Sequence, residues 1–270
     1  MKATGPHNSR LIQCYRWTRT FVHVLEGVTT TVLVFPLSGA LTRRSLIKRW
    51  SARLLRILAI ETRVEGELVS QSGNVLLVAN HISWLDIFVL NAVHPVRFVA
   101  KSELTRWPVL SQMIRGAGTV FIERARRHDT HRVNAQMAAV LAGGDVVAIF
   151  PEGTTTDGRD LLPFKSSLLQ PIVEAKGHVQ PVAIRYCTRE GRLSLAAAWV
   201  GDTTFAGSFW SICGAPALVV TLFACPPLPA DVSHRRDLAR AAEASIRSAL
   251  ASLDCATAPG TAGDHQGATR

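Results

Sequence analysis

From about residue 62 onward, short apolar runs at 75–79, 96–100, 118–122, 145–150 and 179–185 alternate with stretches of helix length. This alternation constrains the fold more than any other feature of the chain. It argues for an α/β architecture in which a central, largely buried sheet is covered by helices. LSLAAAWV at 193–200 and ALVVTLFA at 217–224 read as later strands, and 236–253 reads as a terminal helix. The last stretch, 255–270, has the composition of a disordered tail.

Ahead of the alternating region, residues 17–42 form the longest apolar stretch, close to the roughly 20 residues that span a bilayer. Arg19, His23 and Glu26 interrupt its first half. A spanning helix must shelter Glu26 at about 2.5–3.5 kcal/mol even on the gentlest insertion scale, so lying in the interface or entering one leaflet costs less. An arginine-rich segment follows in place of a small-residue cleavage site, which argues against a signal peptide. In 45–60, Leu46, Ile47, Trp50, Leu54, Ile57 and Leu58 recur at helical spacing, with Arg49, Arg53 and Arg56 on another face. Periodicity allows two readings of this amphipathic helix: one on anionic membrane, or one packed on its own domain with a solvated arginine face. The apolar neighbour favours the membrane. The expected organisation is therefore membrane-associating helices over 1–61, an α/β domain over 62–254 and a tail over 255–270.

The chain carries 30 basic and 20 acidic residues, a net charge of +10. Such a field attracts phosphates on lipids, nucleic acids and small molecules alike, so the placement of the charges matters more than their sum. The densest basic stretch, Arg43 to Arg63, alternates with aliphatics suited to lipid; the interleaved aromatics or recognisable module of a nucleic-acid binder are not evident. Cys14, Cys187, Cys213, Cys225 and Cys255 are scattered, with no C-x2-C pair, so neither a zinc site nor a disulfide framework is indicated and a reducing compartment fits best. His128, Asp129 and His131 look metal-like, but Arg124, Arg126, Arg127 and Arg132 around them repel a cation. No metal and no cofactor are expected. A G-x-S-x-G elbow and a Walker A loop are also missing from the sequence.

The chemistry concentrates where apolar runs end. VLLVA at 75–79 gives way to Asn80-His81-Ile82-Ser83-Trp84-Leu85-Asp86, and polar groups at a strand's carboxyl end face the usual ligand crevice of an α/β fold. On one regular helix His81 and Asp86 would point about 140° apart. They meet only if His81 sits in the turn before a helix and Asp86 on its first turns, with Ser83 as a candidate cap. So placed, the carboxylate accepts a bond from one imidazole nitrogen and leaves the other as a general base, half of a serine-protease triad with a substrate hydroxyl in place of the serine. Two further strand exits add to the pattern. GTVFIER delivers Arg124, a bidentate fork for phosphate, and VVAIF leads into Pro151-Glu152-Gly153-Thr154. There Gly153 lets backbone approach an anion, Thr154, Thr155 and Thr156 offer hydroxyls, and Glu152 is suited to holding Arg124 or a substrate's hydroxyls in place.

These blocks, in this order, resemble the glycerolipid or lysophospholipid acyltransferases: NHISWLD, then GTVFIER, FPEGT and VQPVAI at 179–184, with a lysine block, FVAKSEL, carrying Lys101. The resemblance spans about residues 62–185. It implies transfer of an acyl chain from acyl-CoA or acyl carrier protein to a lysophospholipid hydroxyl, without a covalent acyl-enzyme. His81 and Asp86 would be the catalytic pair, and Arg124, Glu152, Gly153, Thr154, Lys101 and Lys165 would bind substrate. It also implies anionic lipids as partners, no nucleic acid, and a bacterial cytoplasmic membrane with the α/β domain facing the cytoplasm. The favoured acceptor is 1-acyl-sn-glycerol-3-phosphate, giving phosphatidic acid. One departure bears on it: Phe164-Lys165-Ser166-Ser167 stands where many members have Phe-Lys-x-Gly, and with WVGDTTF at 199–205 it looks similar to the branch acylating lyso-ornithine lipid. A non-catalytic basic membrane-binding protein is the alternative of a different class; such a relative should have lost His81 or Asp86, and both are present.

Overall fold

The computed structural model describes residues 8–68, 74–101, 120–122, 127–231 and 234–255, with side chains at 99–133 and 254–255 left undescribed. In chain order the elements are α1 (Arg10–Thr29), a π-helical turn (Thr30–Val34), a 3-10 turn (Phe35–Leu37), α2 (Ala40–Ile57), β1 (Ile60–Glu65), β2 (Val75–Ala79), α3 (Asp86–Val93), β3 (Arg97–Lys101) and β4 (Val120–Ile122). There follow α4 (Arg127–Ala142), β5 (Val147–Ile149), a 3-10 turn (Ser166–Leu169), α5 (Gln170–Glu174), β6 (His178–Thr188), α6 (Phe205–Gly214), β7 (Leu218–Ala224), β8 (Leu228–Pro229) and α7 (Arg235–Cys255).

The strands form one mixed sheet in the order β1-β7-β6-β2-β5-β3-β4, with β8 paired to β6. β2 lies parallel to both β5 and β6, while β6 runs antiparallel to β7. The apolar run VLLVA is buried at all five positions because a strand's side chains alternate and here both faces are covered. Leu76 and Val78 enter one core with Met137 and Leu141 of α4 and Leu238, Ala242 and Ile246 of α7. Leu77 and Ala79 enter the other with Leu54 and Leu55 of α2, Val89 and Leu90 of α3 and Ile212 of α6. At the exit of β2, Asn80 Nδ2 donates to the Ile184 carbonyl at 3.0 Å and its Oδ1 accepts from the Ile184 N–H at 2.7 Å, tying the strand end to β6.

The α/β expectation holds, and the runs at 75–79, 96–100, 145–150, 179–185 and 217–224 are strands. Of the run at 118–122, 120–122 form β4 and 118–119 lie outside the described residues, as does all but the first residue of the expected tail. The segment 193–200 is not a strand. Leu193 makes a single bridge to Cys187, and the chain then turns, the Trp199 N–H donating to the Ile82 carbonyl at 2.9 Å. β2 ends opposite Val182, and the side of β6 beyond it takes up only Arg192 to Ser194, through the bonds Thr188 N–H to the Arg192 carbonyl and Ser194 N–H to the Tyr186 carbonyl.

α2 also departs from expectation. Its apolar face, with Leu54 and Leu55 at 2% and 1% exposure, packs into the domain core while Arg49, Arg53 and Arg56 stay exposed, so the own-domain reading applies and the apolar face is not offered to lipid. α1 differs: Leu11, Tyr15, Trp17, Phe21 and Leu25 are exposed. It is stitched to the domain by polar bonds, from Gln13 Nε2 to the Trp210 carbonyl at 2.7 Å and from Arg16 Nη1 to the Ala215 carbonyl at 2.7 Å. Among the described residues, Arg10–Leu37 is one helical segment long and apolar enough to cross a membrane.

Candidate active site

β2 ends at Ala79, α3 begins at Asp86, and His81 lies in the turn between them, the placement that lets the two side chains meet. Asp86 is fully buried. Its Oδ2 accepts from His81 Nδ1 at 2.8 Å and from the backbone N–H groups of Ile82 at 2.7 Å and Ser83 at 2.9 Å. Its Oδ1 accepts from the Tyr186 hydroxyl at 2.7 Å. With Nδ1–H given to the carboxylate, the tautomer is set and Nε2 carries a lone pair. The imidazole stacks on Phe150, centroids 4.0 Å apart and planes within 12°, and its side chain is 18% exposed, so a substrate can reach it. Ser83 does not cap α3 as expected. Its hydroxyl accepts from the Leu85 N–H two residues on, and the Asp86 carboxylate takes the turn's donors.

The loop after β5 clamps His81 from both sides of its backbone. Glu152 Oε1 accepts from the His81 N–H at 2.7 Å, and the His81 carbonyl accepts from the Thr156 N–H at 2.8 Å. Glu152 Oε2 accepts from the Leu162 N–H at 2.9 Å, so both oxygens of this buried carboxylate rest on backbone amides. Among the described residues, then, Glu152 shapes the turn that carries His81, and the expected partner Arg124 lies outside them. Burial pushes its carboxyl above the ordinary range, while the bonds from Leu162 and His81 pull the other way. Gly153 adopts φ 76°, left-handed backbone that glycine enters without a Cβ penalty. Thr154 is exposed beside it, and Thr155 Oγ1 donates to the Trp199 carbonyl.

The other expected residues divide. Lys165 is exposed on the same loop, its backbone N–H bonded to the Pro151 carbonyl at 3.0 Å. Lys101 closes β3, but its side chain is not described, and Arg124 lies outside the described residues. Tyr186, Asn80 and Phe150 were not foreseen. A signal for Tyr186 was present in VAIRYCT, where a tyrosine on a largely buried strand needs a partner for its hydroxyl.

Comparison with known proteins bears on this geometry. Residues 61–185 match the family described as Acyltransferase. The 1-acyl-sn-glycerol-3-phosphate acyltransferase of Neisseria meningitidis is 37% identical over 199 residues, covering 73% of this chain and 78% of that protein. The chain belongs to the acyltransferase family. A lyso-ornithine lipid O-acyltransferase of Pseudomonas aeruginosa is 38% identical to this acyltransferase over 208 residues, covering 77% of this chain and 79% of that one. The crystal structure of the 1-acyl-sn-glycerophosphate acyltransferase PlsC from Thermotoga maritima matches with a TM-score of 0.70, over 90% of this chain and 95% of that one, at 23% identity; that likeness concerns the fold. The family match takes in the catalytic-end turns at 80–86 and 151–156 of the acyltransferase and stops at Arg185, one residue short of Tyr186.

Proposed function

We propose that the enzyme moves an acyl chain from a thioester, carried on coenzyme A or acyl carrier protein, to the free hydroxyl of 1-acyl-sn-glycerol-3-phosphate, giving phosphatidic acid. The observation that carries the reading is His81, held through Nδ1 by Asp86 with Nε2 left bare among the described residues. Nε2 takes the proton of the acceptor hydroxyl as its oxygen attacks the thioester carbonyl. The tetrahedral intermediate collapses, the C–S bond breaks, and the departing thiolate takes the proton back from the imidazolium. Asp86 stabilises the imidazolium throughout. No acyl-enzyme forms and no metal or cofactor takes part. Gly153, Thr154, Lys165, Lys101 and Arg124 are the groups suited to the acceptor's phosphate, with Glu152 setting the shape of their turn. The exposed apolar residues of α1 suit the membrane interface in which such an acceptor resides, and the expected location is the cytoplasmic face of a bacterial inner membrane.

Lyso-ornithine lipid is the second reading. It is favoured by the Pseudomonas aeruginosa relative and by Phe164-Lys165-Ser166-Ser167. Its ammonium would need an acidic partner, and Asp157, one candidate, already lies 3.7 Å from Arg159. A competition assay separates the two. With both lysolipids at equal concentration and a labelled thioester, the glycerophosphate acceptor is expected to be consumed faster, and free glycerol phosphate is expected to inhibit. Faster acylation of lyso-ornithine lipid without glycerol-phosphate inhibition overturns the acceptor assignment.

A further inference from the structure

Tyr186 lies near the C-terminal end of β6, a hundred residues from Asp86 in sequence, and is fully buried. The three donors on Asp86 Oδ2 all come from the short turn 81–83, so on their own they leave Oδ1 without a partner in a dry site. An unsatisfied carboxylate oxygen there is costly. The Tyr186 hydroxyl meets it at 2.7 Å. Burial, and then the adjacent Asp86 charge, push the phenol well above its ordinary range, so the hydroxyl stays protonated and donates to the carboxylate at any working pH.

We propose that Tyr186 is a positioning residue of the acyl-transfer reaction, its hydroxyl fixing Asp86 Oδ1 so that Oδ2 stays aimed at His81 Nδ1. The proposal rests on the reading of His81 as the general base. Its physical content is twofold. A carboxylate anchored at both oxygens cannot rotate, and β6 is a more rigid anchor than the turn. A donor on Oδ1 also draws off part of the negative charge, which tempers the pull of Asp86 on the imidazolium and lets the proton pass on to the leaving thiolate. Among the described residues, the titratable groups packed around His81 are Asp86 from α3 and Glu152 from the loop after β5, with Tyr186 of β6 behind Asp86.

The test uses the full-length enzyme with a thioester donor and 1-acylglycerol phosphate, comparing wild type, Tyr186→Phe, Asp86→Asn, the double variant and His81→Ala, each with its thermal unfolding midpoint. Tyr186→Phe removes one oxygen and keeps the ring that fills the core. It is expected to keep both KM values, to lower kcat about tenfold, the order of one hydrogen bond to a charged group, and to shift the acid limb of kcat to higher pH. That direction follows because a carboxylate without its neutral donor stabilises imidazolium more. Glu152 is common to both proteins and cancels in the comparison. In the Asp86→Asn background the same substitution is expected to change kcat less than twofold, because the group it acts through is already altered. A structural tyrosine would lower the unfolding midpoint and leave the pH limb where it was. An unmoved limb, or the same loss of kcat in both backgrounds, overturns the proposal. If folded His81→Ala remains active, the general-base reading itself fails. If His81→Ala is inactive while Tyr186→Phe behaves as wild type, the role of Tyr186 alone falls.

Discussion

Two histidines of this protein keep nearly the same company and do different things. His23 in α1 stacks on Trp50 with centroids 4.6 Å apart, and its Nδ1 lies 3.2 Å from Glu26 Oε2. His81 stacks on Phe150 at 4.0 Å, and its Nδ1 lies 2.8 Å from Asp86 Oδ2. The difference is at the second nitrogen. His23 Nε2 donates to the Trp50 carbonyl at 3.0 Å, and the Trp50 indole returns a bond to the His23 carbonyl at 3.0 Å, so that both rings join α1 to α2. His81 Nε2 bonds to no described residue, and the backbone of His81 is held instead. An aromatic neighbour and a carboxylate are therefore common to both rings, and what separates them is the second nitrogen, bonded in His23 and without a described partner in His81.

The largest effect that could break this comparison is on turnover. His81→Ala is expected to lower kcat by at least ~10²- to 10⁴-fold with little change in the unfolding midpoint. His23→Ala should do the reverse, costing about 1–3 kcal/mol of stability through its buried, lost bonds with kcat nearly unchanged. Thermal unfolding alongside steady-state kinetics reads both, and a folded, active His81→Ala would sink the assignment.

Next in size are the carboxylates. Asp86→Asn keeps the shape but loses the charge opposite the imidazolium, and a clear fall in kcat is expected, milder than loss of the base. Glu26 is 41% exposed, and Glu26→Gln should leave kcat within a factor of about two. Equal losses in the two variants would erase the distinction between the pairs.

Glu152→Gln sharpens the contrast from beneath. Glutamine offers one carbonyl oxygen where two backbone donors wait, so a stability loss and a slower kcat are expected together. The pH dependence has a definite sign. Because burial raises the folded-state value of this carboxyl above its ordinary 4.5, the wild-type side chain favours the fold most when protonated, and that contribution is lost as pH rises through the raised value. The stability gap between wild type and variant should accordingly be widest in acid and narrow towards neutral pH in urea titrations. A gap that widens with pH would contradict the cause assigned to the shift.

The smallest effect concerns the surface pair of Arg53 with Glu26, 3.0 Å apart with both side chains more than a third exposed. Arg53→Ala is expected to change stability by no more than about 1 kcal/mol and to leave activity alone. A larger loss, measured by thermal unfolding at physiological salt, would mean that the α1–α2 join depends on charge more than on the His23–Trp50 exchange.

Part of the site was legible in advance for a geometric reason. An apolar run ending in NHISWLD leaves only one arrangement in which His81 and Asp86 meet, a strand, a turn and then a helix beginning at Asp86, and the structure has it. Glu152 was found by its position after a strand, but its hold on the His81 and Leu162 amides was not, because a motif shows where a carboxylate sits and not which amides lie beneath it. The segment 193–200 has strand composition but pairs with β6 only at its start, because the chain then turns away to bond the Ile82 carbonyl through Trp199. The apolar face of α2 was evident from spacing, yet spacing is indifferent to whether lipid or protein covers that face.

The sequence by itself determined the contacts that are local or periodic: the α/β alternation, the faces of α2, and the turn that brings His81 to Asp86 within five residues. Short loops leave few conformations, and burial on both faces writes itself as a continuous apolar run. Only the tertiary structure decided what completes the site. Tyr186 reaches Asp86 across a hundred residues, and Glu152 reaches His81 across 71. Those meetings depend on the register of β2 between β5 and β6. A slip of one residue there would turn Tyr186 to the opposite face of the sheet, and no local pattern in the chain records that choice.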